Sequence, residues 1–340
     1  MVFQKKFFRY LLCIAGGLAL AAVCVISFLH DRQPETDLSE QNIFVMDTYC
    51  EISVQDGKAS AVSRLLYELE DALDAFDAES DITRLNTGGV LDADSAAGDV
   101  IQKSLALQEQ EKGGVDITAG ALTRLWGITT ENPHVPTEQE RREVLQTIGA
   151  AHVHISDGKI TLDAGTQIDL GAVAKGYALD CAAELLREQG VPYGKISLTS
   201  SMLLYGEKPD GTPFTVAIRD PDGAGTLGTV QTDSCFLSTS GGYERFFTAE
   251  DGTKYSHILS TESGYPIETD LTTVTVFCDS GLLSDYLSTR IYMGGTAALE
   301  EHLHAEEYKI VAADTAGRLY VSDGLAFQSA VQSNETEETE

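Results

Sequence analysis

The stretch that most constrains this chain runs from Ile168 to Asp180 and reads IDLGAVAKGYALD. The residues before it, His152–Asp163, predict two β-strands joined at Asp157-Gly158, a dipeptide typical of a tight hairpin turn. From Val173 onward, apolar residues instead recur at the spacing of a helix with one broad apolar face, which ends at Gly190. The central stretch is therefore predicted to contain a change from strand to helix.

The residues at this change suit an anionic ligand. Asp169 leaves the predicted strand, and Gly171 and Gly176 bracket Lys175 where the helix begins. A helix start offers unpaired N–H groups and the positive end of the helix dipole, glycine lets a ligand approach the backbone, and lysine adds a charge. The combination favours a phosphate or pyrophosphate. A strand-to-helix corner with an ion-paired lysine fits the same residues, so that alternative stays open.

The charge of the chain limits which ligands it can bind. Its 340 residues include 53 acidic and 23 basic side chains, giving a net charge of −30. This balance argues against nucleic-acid binding, because few cations are available to neutralise a run of phosphates. An anionic ligand such as a dinucleotide would need local positive groups or a metal cation in this field.

The start of the chain is predicted to lie outside the folded domain. Basic residues precede Tyr10–Leu29, a run of roughly twenty uncharged residues that is long enough to cross a bilayer. Residues 1–30 are therefore predicted to be a membrane anchor or signal segment, with the rest of the chain outside the cytoplasm. Residues 31–42 read as a polar tether.

Two further features concern the ends of the chain. Lipidation at Cys24 is an alternative to an uncleaved anchor, although Val23 is bulky where a small neighbour is preferred. Residues 326–340 end in SNETEETE and are predicted to be an acidic disordered tail.

Strands and helices alternate along the rest of the chain, with no repeat and no long linker. Helices are predicted at Ala59–Phe76, at a short turn capped by Ser80 or Asp81, at Val100–Glu111, at Thr137–Ile148, which Thr137 caps, and at Ser284–Met293, which Ser284 caps. Strands are predicted at Phe44–Val54, Lys195–Tyr205, Phe214–Arg219, Thr229–Leu237, Tyr243–Phe247, Thr253–Leu259, Leu271–Asp279, Glu307–Asp314 and Gly317–Ser322. This interleaving predicts the α+β class.

One pair of residues outside the central stretch suits a metal. Asp285 and Thr289 are four apart and so share one face of a predicted helix. A carboxylate and a hydroxyl are hard oxygen donors of the kind that Mg²⁺ prefers. A cap with a routine hydrogen bond between i and i+4 fits the same pair. His257 is a lone histidine at a strand end, for which catalytic and structural roles both remain open.

Two other patterns point to ordinary structure. Residues 223–228 read GAGTLG, which matches the letters of the dinucleotide fingerprint, but a strand-like segment follows where a helix is needed. We interpret this segment as a hairpin loop. The pairs His152/His154 and His302/His304 lack a third ligand nearby in sequence and are interpreted as surface histidines.

Several short segments stand in one order along the chain. They are MDT (46–48), SDITRLN (80–86), GGVDITAGAL and LWG (113–127), IDLGAVAKGYALD (168–180), TSGGYER (239–245), YSHIL and SGYP (255–266), and SDYLSTRIYMGG (284–295). Together they resemble the ApbE family, the FAD:protein FMN transferases, over roughly residues 43–325. The resemblance implies a T-fold-like α+β architecture, mostly antiparallel sheets with interleaved helices, and an FAD held in a cleft.

The resemblance also implies a reaction. It is the Mg²⁺-dependent transfer of FMN from FAD to a serine or threonine hydroxyl of a partner protein, with release of AMP. With the predicted anchor, this partner is expected to be an extracytoplasmic acceptor flavoprotein. Some members hydrolyse FAD to FMN and AMP, and a membrane-anchored flavin-binding protein without turnover is a third hypothesis. FAD is then the substrate, Mg²⁺ the cofactor, and the cell membrane the expected location.

Site residues follow from the resemblance by position. The flavin-binding residues would be Met46, Phe76, Gly114, Val115, Asp116, Asp169, Lys175 and Ile258. The metal ligands would be Asp285, Thr289 and the backbone carbonyl of Ala172. His257 would be the general base for the incoming hydroxyl, and the 239–245 segment would form the cleft wall beside it.

The chain departs from the family pattern at three places. Phe76 stands where the family usually has tyrosine, and Ser260-Thr261 stand where Asp-Pro is usual. Residues 199–201 read Thr-Ser-Ser where the family usually shows Gly-Gly-Asp or Gly-Gly-Asn. Phe76 can still stack on a flavin, and we expect the loss of glycines at 199–201 to narrow the cleft or to alter how the adenine side or the acceptor segment is held. The metal and phosphate residues are retained.

Overall fold

The structure is a computed structural model, and it describes residues 38–330 apart from Asp56, Asp222, Ala224 and Glu244. The predicted anchor, with Cys24, and the last ten residues of the predicted tail lie outside the described residues. Within the described part, no helix is both long and apolar enough to span a bilayer.

Helices and strands alternate along the described residues. The helices are α1 (Ala59–Leu73), α2 (Asp81–Asn86), α3 (Ala96–Gln110), α4 (Gly120–Trp126), α5 (Glu138–Leu145), α6 (Ala174–Glu188) and α7 (Gly281–His302), with a 3₁₀ turn at Ala150–His152. The strands are β1 (Leu38–Val45), β2 (Thr48–Gln55), β3 (Leu91–Asp92), β4 (Val153–Ser156), β5 (Lys159–Leu162), β6 (Tyr193–Leu198), β7 (Ser201–Gly206), β8 (Phe214–Arg219), β9 (Thr226–Thr232), β10 (Cys235–Ser240), β11 (Phe246–Thr248), β12 (Lys254–Ser256), β13 (Leu271–Cys278), β14 (Lys309–Asp314), β15 (Leu319–Val321) and β16 (Ala326–Ser329).

One large sheet organises these elements. Eight strands pair in the order β1-β2-β6-β7-β10-β13-β14-β15, and every named strand pair is antiparallel. Helices α1, α6 and α7 pack on one face of this sheet, and α6 also packs against α7. A three-stranded sheet, β16-β9-β8, packs on the other face. The predicted α+β class with mainly antiparallel sheets is confirmed.

The central strand β13 shows why the core lies on both faces of the large sheet. Its sequence is LTTVTVFC, and seven of its eight residues are buried. Val274 and Val276 belong to the core beneath the helices, whereas Phe277 belongs to the core beneath the small sheet. A strand covered on both faces therefore reads as a nearly continuous apolar and β-branched run.

Three predicted strands are wrong because each contains a turn. Two of them are antiparallel hairpins, and the third runs from β9 of the small sheet into β10 of the large sheet. Phe44–Val54 turns at Met46-Asp47, Lys195–Tyr205 turns at Thr199-Ser200, and Thr229–Leu237 turns between β9 and β10. Met46, Asp47 and Thr199 have φ values of 53°, 56° and 60°. The turns contain no glycine or Asn-Gly pair, so the alternation of the strands hides them.

The ends of the domain also differ from prediction. β1 begins at Leu38, so residues 38–42 of the predicted tether belong to the sheet. β16 pairs with β9, so residues 326–329 of the predicted tail belong to the fold. Both segments are polar strands at sheet edges, and their composition resembles that of a linker.

Two further corrections concern local structure near the site. Ser280 caps α7, accepting a hydrogen bond from the Leu283 N–H at 3.3 Å, whereas the predicted cap Ser284 is fully buried inside the first turn. Asp169 leaves an extended loop and not a strand. The predicted hairpin at Asp157-Gly158 and the helix stop at Gly190 are confirmed.

The histidine pairs behave differently from each other. His152 and His154 are at least partly exposed, and both bond Asp163, at 3.0 and 2.7 Å, which agrees with their interpretation as surface residues. The interpretation of His302 as a surface residue is wrong, since His302 is only 9% exposed and its Nδ1 lies within hydrogen-bond distance of the Tyr308 hydroxyl.

Candidate active site

The starts of α6 and α7 are held against each other by a glycine contact and a carboxylate. A Cβ on Gly176 would lie 2.1 Å from the Gly281 carbonyl oxygen, so this approach requires glycine. Asp180 accepts hydrogen bonds from the N–H groups of Gly281 and Leu282, at 2.6 and 2.9 Å. Burial of this carboxylate raises its pKa. The beginning of α7 is therefore fixed relative to α6.

Asp285 lies one turn into α7 and is 5% exposed. Its Oδ2 accepts from the Gly176 N–H at 2.9 Å, and its Oδ1 accepts from the Ser201 hydroxyl at 3.0 Å. In a regular helix the Gly176 N–H would donate to the carbonyl of Ala172, four residues earlier. Because it donates to Asp285 instead, the Ala172 carbonyl receives no hydrogen bond from the described residues. A carboxylate and an open carbonyl thus meet at one helix start.

Thr289 follows Asp285 on the same face of α7. Its Oγ1 lies 3.0 Å from the hydroxyl of Ser240 at the end of β10, and the Ser240 hydroxyl lies 2.9 Å from that of Ser288. No hydrogen bond joins the side chains of Asp285 and Thr289, so the predicted alternative of a routine i to i+4 bond is not what the described residues show.

The donor set formed by Asp285, Thr289 and the Ala172 carbonyl fits Mg²⁺. All three donors are oxygen atoms, and Mg²⁺ is usually held by one or two carboxylates, with phosphate and water completing its shell. Within residues 38–330, as far as they are described, no group of three or more His, Cys, Asp or Glu residues could hold a metal ion.

His257 is held by the backbone of Arg245. Its N–H donates to the Arg245 carbonyl at 3.1 Å, and its ring Nδ1 lies 3.0 Å from the same oxygen. A carbonyl can only accept, so Nδ1 carries the proton and Nε2 presents a lone pair. Burial, together with the charges of Arg245 and Lys175, lowers the pKa of His257 to about 4. The ring is therefore neutral at pH 7 and able to accept a proton.

The segment that carries His257 is tied to two other parts of the site. Arg245 makes an ion pair with Asp47 at 2.6 Å and also donates to the Asp47 carbonyl at 2.9 Å, which joins it to the β1–β2 turn. Gly242 donates its N–H to the Tyr292 hydroxyl of α7 at 2.9 Å. Gly242 and Arg245 thus connect α7, the β1–β2 turn and His257.

Lys175 makes no ion pair with any residue that the structure describes. Its Nζ lies 3.4 Å from the Gly171 carbonyl, and no carboxylate of the described residues lies within salt-bridge distance. The alternative of a structural lysine in an ion pair is therefore wrong for the described part of the chain. This ammonium group remains available to an anionic ligand.

Asp116 and Asp169 lie on neighbouring loops. The Asp169 N–H donates to the Ile117 carbonyl at 2.8 Å, and the Asn86 side chain bonds both backbone groups of Ile168, at 2.8 and 2.6 Å. Asn86 ends the SDITRLN segment, so that segment positions the central stretch. The two carboxylates are half-buried and stabilise their own loops through backbone N–H groups of Thr118 and Gly171.

The Gly113–Asp116 segment lies on a second side of α7. The Tyr286 hydroxyl donates to the Gly113 carbonyl at 3.1 Å. A Cβ on Gly114 would lie 2.8 Å from Cγ of Arg290, and its φ of 105° also favours glycine. Val115 is buried in the main core. Helix α7 therefore carries the candidate metal ligands on one side and this candidate flavin segment on another.

The remaining predicted flavin-binding residues, Phe76, Met46 and Ile258, make few contacts with the rest of the candidate site. Phe76 is 47% exposed, with the Arg124 guanidinium 4.9 Å above its ring. Met46 donates its N–H to a carboxylate oxygen of Glu70 at 2.6 Å, and Ile258 is partly buried against the core. No contact among the described residues joins Phe76 to Asp285.

Sequence reasoning missed three residues that support the site. Ser201 and Ser240 contact the candidate metal ligands, and Asp180 caps the helix that carries them. Each of the three lies in a segment that the sequence analysis had singled out, either as part of the family resemblance or as a departure from it. The residues that they contact could not be predicted, because the bond from Ser201 to Asp285, for example, spans 84 residues of sequence.

Comparison with known proteins gives one consistent result. Residues 46–312 match the model of the ApbE family. A relative named FAD:protein FMN transferase from Vibrio cholerae is 28% identical over 242 residues, which cover 69% of this chain and 72% of the relative. One of the same name from Salmonella typhimurium is 26% identical over 332 residues, covering 89% and 91%.

Solved structures agree with the sequence relatives. The crystal structure of an ApbE protein from Thermotoga maritima is similar to this chain, with a TM-score of 0.78 and 27% identity, and covers 84% of this chain and 97% of its own. The flavin transferase ApbE from Vibrio cholerae gives a TM-score of 0.74 and 25% identity at the same coverage.

Proposed function

This chain belongs to the ApbE family, and we propose that it transfers FMN from FAD to a serine or threonine hydroxyl of a partner protein, releasing AMP. The curated relatives, which are named FAD:protein FMN transferases and align over most of their length, support a transferase that uses FAD. The observation that carries the proposal is the hard-oxygen donor set of Asp285, Thr289 and the Ala172 carbonyl, next to Lys175, whose charge also acts on His257.

The proposed cofactor is Mg²⁺, held by Asp285, Thr289 and the Ala172 carbonyl. When bound, Mg²⁺ would offset negative charge on the pyrophosphate of FAD. Asp285 is suited to this role because both of its oxygens are already fixed in place by Gly176 and Ser201. The departure at Ser201 therefore does not remove the site, since its hydroxyl still supports the carboxylate.

Lys175 supplies the positive charge that a chain of net charge −30 needs at a pyrophosphate site. Its ammonium lies in the first turn of α6, where backbone N–H groups and the helix dipole also favour an anion. We place the pyrophosphate there, between Lys175 and Asp285.

His257 is the proposed general base. Its Nε2 lone pair takes the proton from the acceptor hydroxyl, and the hydroxyl oxygen forms a bond to the phosphorus of the FMN half. The bond from that phosphorus to the AMP oxygen breaks, and AMP leaves with the electron pair. The negative charge of bound FAD would raise the pKa of His257 from its low value, which improves it as a base at neutral pH.

The flavin is proposed to lie between the β1–β2 turn and the Gly113–Asp116 segment. Phe76 offers an exposed ring for stacking. Asp116 and Asp169 offer carboxylates at the edge of neighbouring loops, and Met46 and Ile258 offer apolar contacts. These assignments follow the family resemblance by position.

We also propose that residues 1–30 anchor the protein in the cell membrane, with the folded domain on the extracytoplasmic side. The support is the uncharged run Tyr10–Leu29, preceded by basic residues. The acceptor would then be an extracytoplasmic flavoprotein.

The test is covalent transfer. The full-length protein is incubated with FAD, Mg²⁺ and a flavoprotein that accepts FMN, and the acceptor is analysed by mass spectrometry and in-gel flavin fluorescence. We expect a mass increase of one FMN on a hydroxyl residue, with one AMP released for each. AMP without labelled acceptor would indicate FAD hydrolysis, and FAD binding without AMP would contradict an enzyme. Asp163 is an exposed carboxylate outside the site. As a control, Asp163→Ala should transfer FMN as the wild type does.

A further inference from the structure

The polar contact between β10 and α7 is a chain of hydroxyl groups that ends on a backbone carbonyl. The Ser288 hydroxyl lies 3.0 Å from the Asp285 carbonyl oxygen, and the Ser240 hydroxyl lies 2.9 Å from that of Ser288. The Thr289 hydroxyl lies 3.0 Å from that of Ser240. Ser288 is fully buried and Thr289 is 9% exposed, so protein groups surround most of this chain.

Counting protons gives the chain one direction. Each hydroxyl has one proton to donate, and a carbonyl oxygen only accepts. Ser288 therefore donates to the Asp285 carbonyl, which leaves Ser240 as the donor to Ser288. With its own proton used, Ser240 can only accept from Thr289. All three bonds form together only when the proton of Thr289 points toward β10.

The consequence for Thr289 is electrostatic. With its proton directed at Ser240, the lone pairs of its oxygen point away from β10 and no positive hydrogen faces a ligand there. A neutral hydroxyl binds a cation through a lone pair, and it repels the cation when its proton points the same way.

We propose that Ser240 is a positioning residue that holds the Thr289 hydroxyl with its proton directed away from the site and its lone pairs free for a divalent cation. This rests on the proposed function, because the cation is the Mg²⁺ of that proposal. Partners that orient metal ligands typically change metal affinity by about 10-fold to 100-fold when they are removed. Without Ser240, the Thr289 hydroxyl loses its fixed acceptor and can rotate its proton toward the cation.

The same interface offers a matched control. The hydroxyls of Ser238 and Ser284 lie 3.0 Å apart, and Ser284 donates to the Gly281 carbonyl at 2.8 Å. This is a buried serine pair between the same strand and the same helix, and it touches neither Asp285 nor Thr289. Ser238→Ala therefore removes an equivalent hydrogen bond without affecting the direction of the Thr289 proton.

The experiment measures Mn²⁺ binding to the FAD-free, full-length protein by electron paramagnetic resonance, with no turnover involved. Mn²⁺ is the probe because it shares the preference of Mg²⁺ for octahedral oxygen ligands. We expect Ser240→Ala to weaken Mn²⁺ binding by about 10-fold, whereas Ser240→Thr, which keeps the hydroxyl, and Ser238→Ala bind as the wild type does.

Two results would overturn the inference while leaving the proposed function intact. One is wild-type Mn²⁺ affinity in Ser240→Ala, and the other is an equal loss in Ser238→Ala. If the wild-type protein binds no Mn²⁺, or if Asp285→Ala binds Mn²⁺ with the affinity of the wild type, the metal site itself is contradicted, and the inference fails with it.

Discussion

Strand β10 contacts α7 and the small sheet through different chemistry, although apolar core lies on both faces of the large sheet. On the helical side, Ser238 and Ser240 of β10 bond hydroxyl groups of α7. On the other side, Leu237 of the same strand packs with Phe214 and Val230 of the small sheet. Alternate residues of one strand thus point into a polar contact and an apolar one.

The difference separates two tasks. Apolar burial stabilises the fold without requiring particular partners, whereas buried hydroxyl groups contribute little net stability and must all be bonded. A hydroxyl contact does fix the direction of lone pairs and protons, which an apolar contact cannot do. The hydroxyl contacts to α7 therefore hold Asp285 and Thr289 in one orientation, and the apolar contacts to the small sheet add to the stability that the core beneath the helices also supplies.

Apart from the loss of Asp285, the largest expected effect on activity comes from removing the Thr289 hydroxyl oxygen. Thr289→Val keeps the shape of the side chain but removes a candidate ligand, so we expect FAD cleavage to fall by about 100-fold. The free energy of unfolding should change by less than about 1.5 kcal/mol. AMP release and urea denaturation measure the two quantities.

Thr275→Val is the control for this change. Thr275 is fully buried on β13 and bonds Thr239 at 2.9 Å, away from α7. The same loss of activity in this variant would contradict the assignment of Thr289 and the separation of the two tasks.

The opposite result is expected on the apolar side. Phe214 is 6% exposed, and Phe214→Ala should lower the free energy of unfolding by about 3 kcal/mol through lost burial and a cavity. FAD cleavage per folded molecule should stay within about two-fold of wild type, since no polar contact to the site is touched. Chemical denaturation with an activity assay on folded protein tests this, and a large loss of specific activity would mean that the faces are coupled.

Lowering the pH should reduce the stability of the fold through His257. The folded pKa of His257 is about 4, below the ordinary value of 6.5, so the unfolded chain binds a proton first as the pH falls. The stability of the wild type relative to His257→Gln should therefore decrease between about pH 6.5 and pH 4, and it should level off below pH 4. Allowing for partial exposure, we expect a difference of about 2 kcal/mol.

The measurement for His257 is urea denaturation of both proteins at several pH values. Phe214→Ala provides the comparison, because its offset from wild type should not vary over this pH range. A constant difference between wild type and His257→Gln would contradict the depressed pKa.

The smallest expected effect concerns a turn at the edge of the polar side. Thr199 is β-branched and has a φ of 60°, a region that costs such residues free energy. Asparagine adopts this conformation more readily, so Thr199→Asn should raise the free energy of unfolding by about 0.5 kcal/mol. Thermal denaturation measures it, and a decrease would show that the bond from Thr48 to the Thr199 hydroxyl, at 2.8 Å, matters more than the strain.

The sequence predicts well what local residues determine. The capping box of Thr137 and Glu140 starts α5 as predicted, and Ser80 caps α2. The turns at Met46-Asp47 and Thr199-Ser200 were missed, because their positive φ values come without glycine. They are held instead by distant partners, such as the Arg245 ion pair with Asp47.

In the candidate site, too, the sequence predicts the residues that local pattern identifies but not their distant partners. The residues Asp285, Thr289 and Lys175 could be named from spacing and resemblance, and the structure brings Asp285 to the helix start that contains Lys175. The roles of Ser201 and Ser240 could not be predicted, since each depends on which strand packs against α7. Strand order in a sheet with non-sequential neighbours is not readable from local pattern.

The measurement that tests the account most directly is AMP release from FAD, with and without Mg²⁺, by the full-length protein and by Asp285→Ala. The account predicts AMP release that requires Mg²⁺ and falls by about 1,000-fold in the variant, while the variant still folds. Wild-type rates in Asp285→Ala, or rates that do not depend on Mg²⁺, would contradict the claim that Asp285 of α7 helps to hold the catalytic metal.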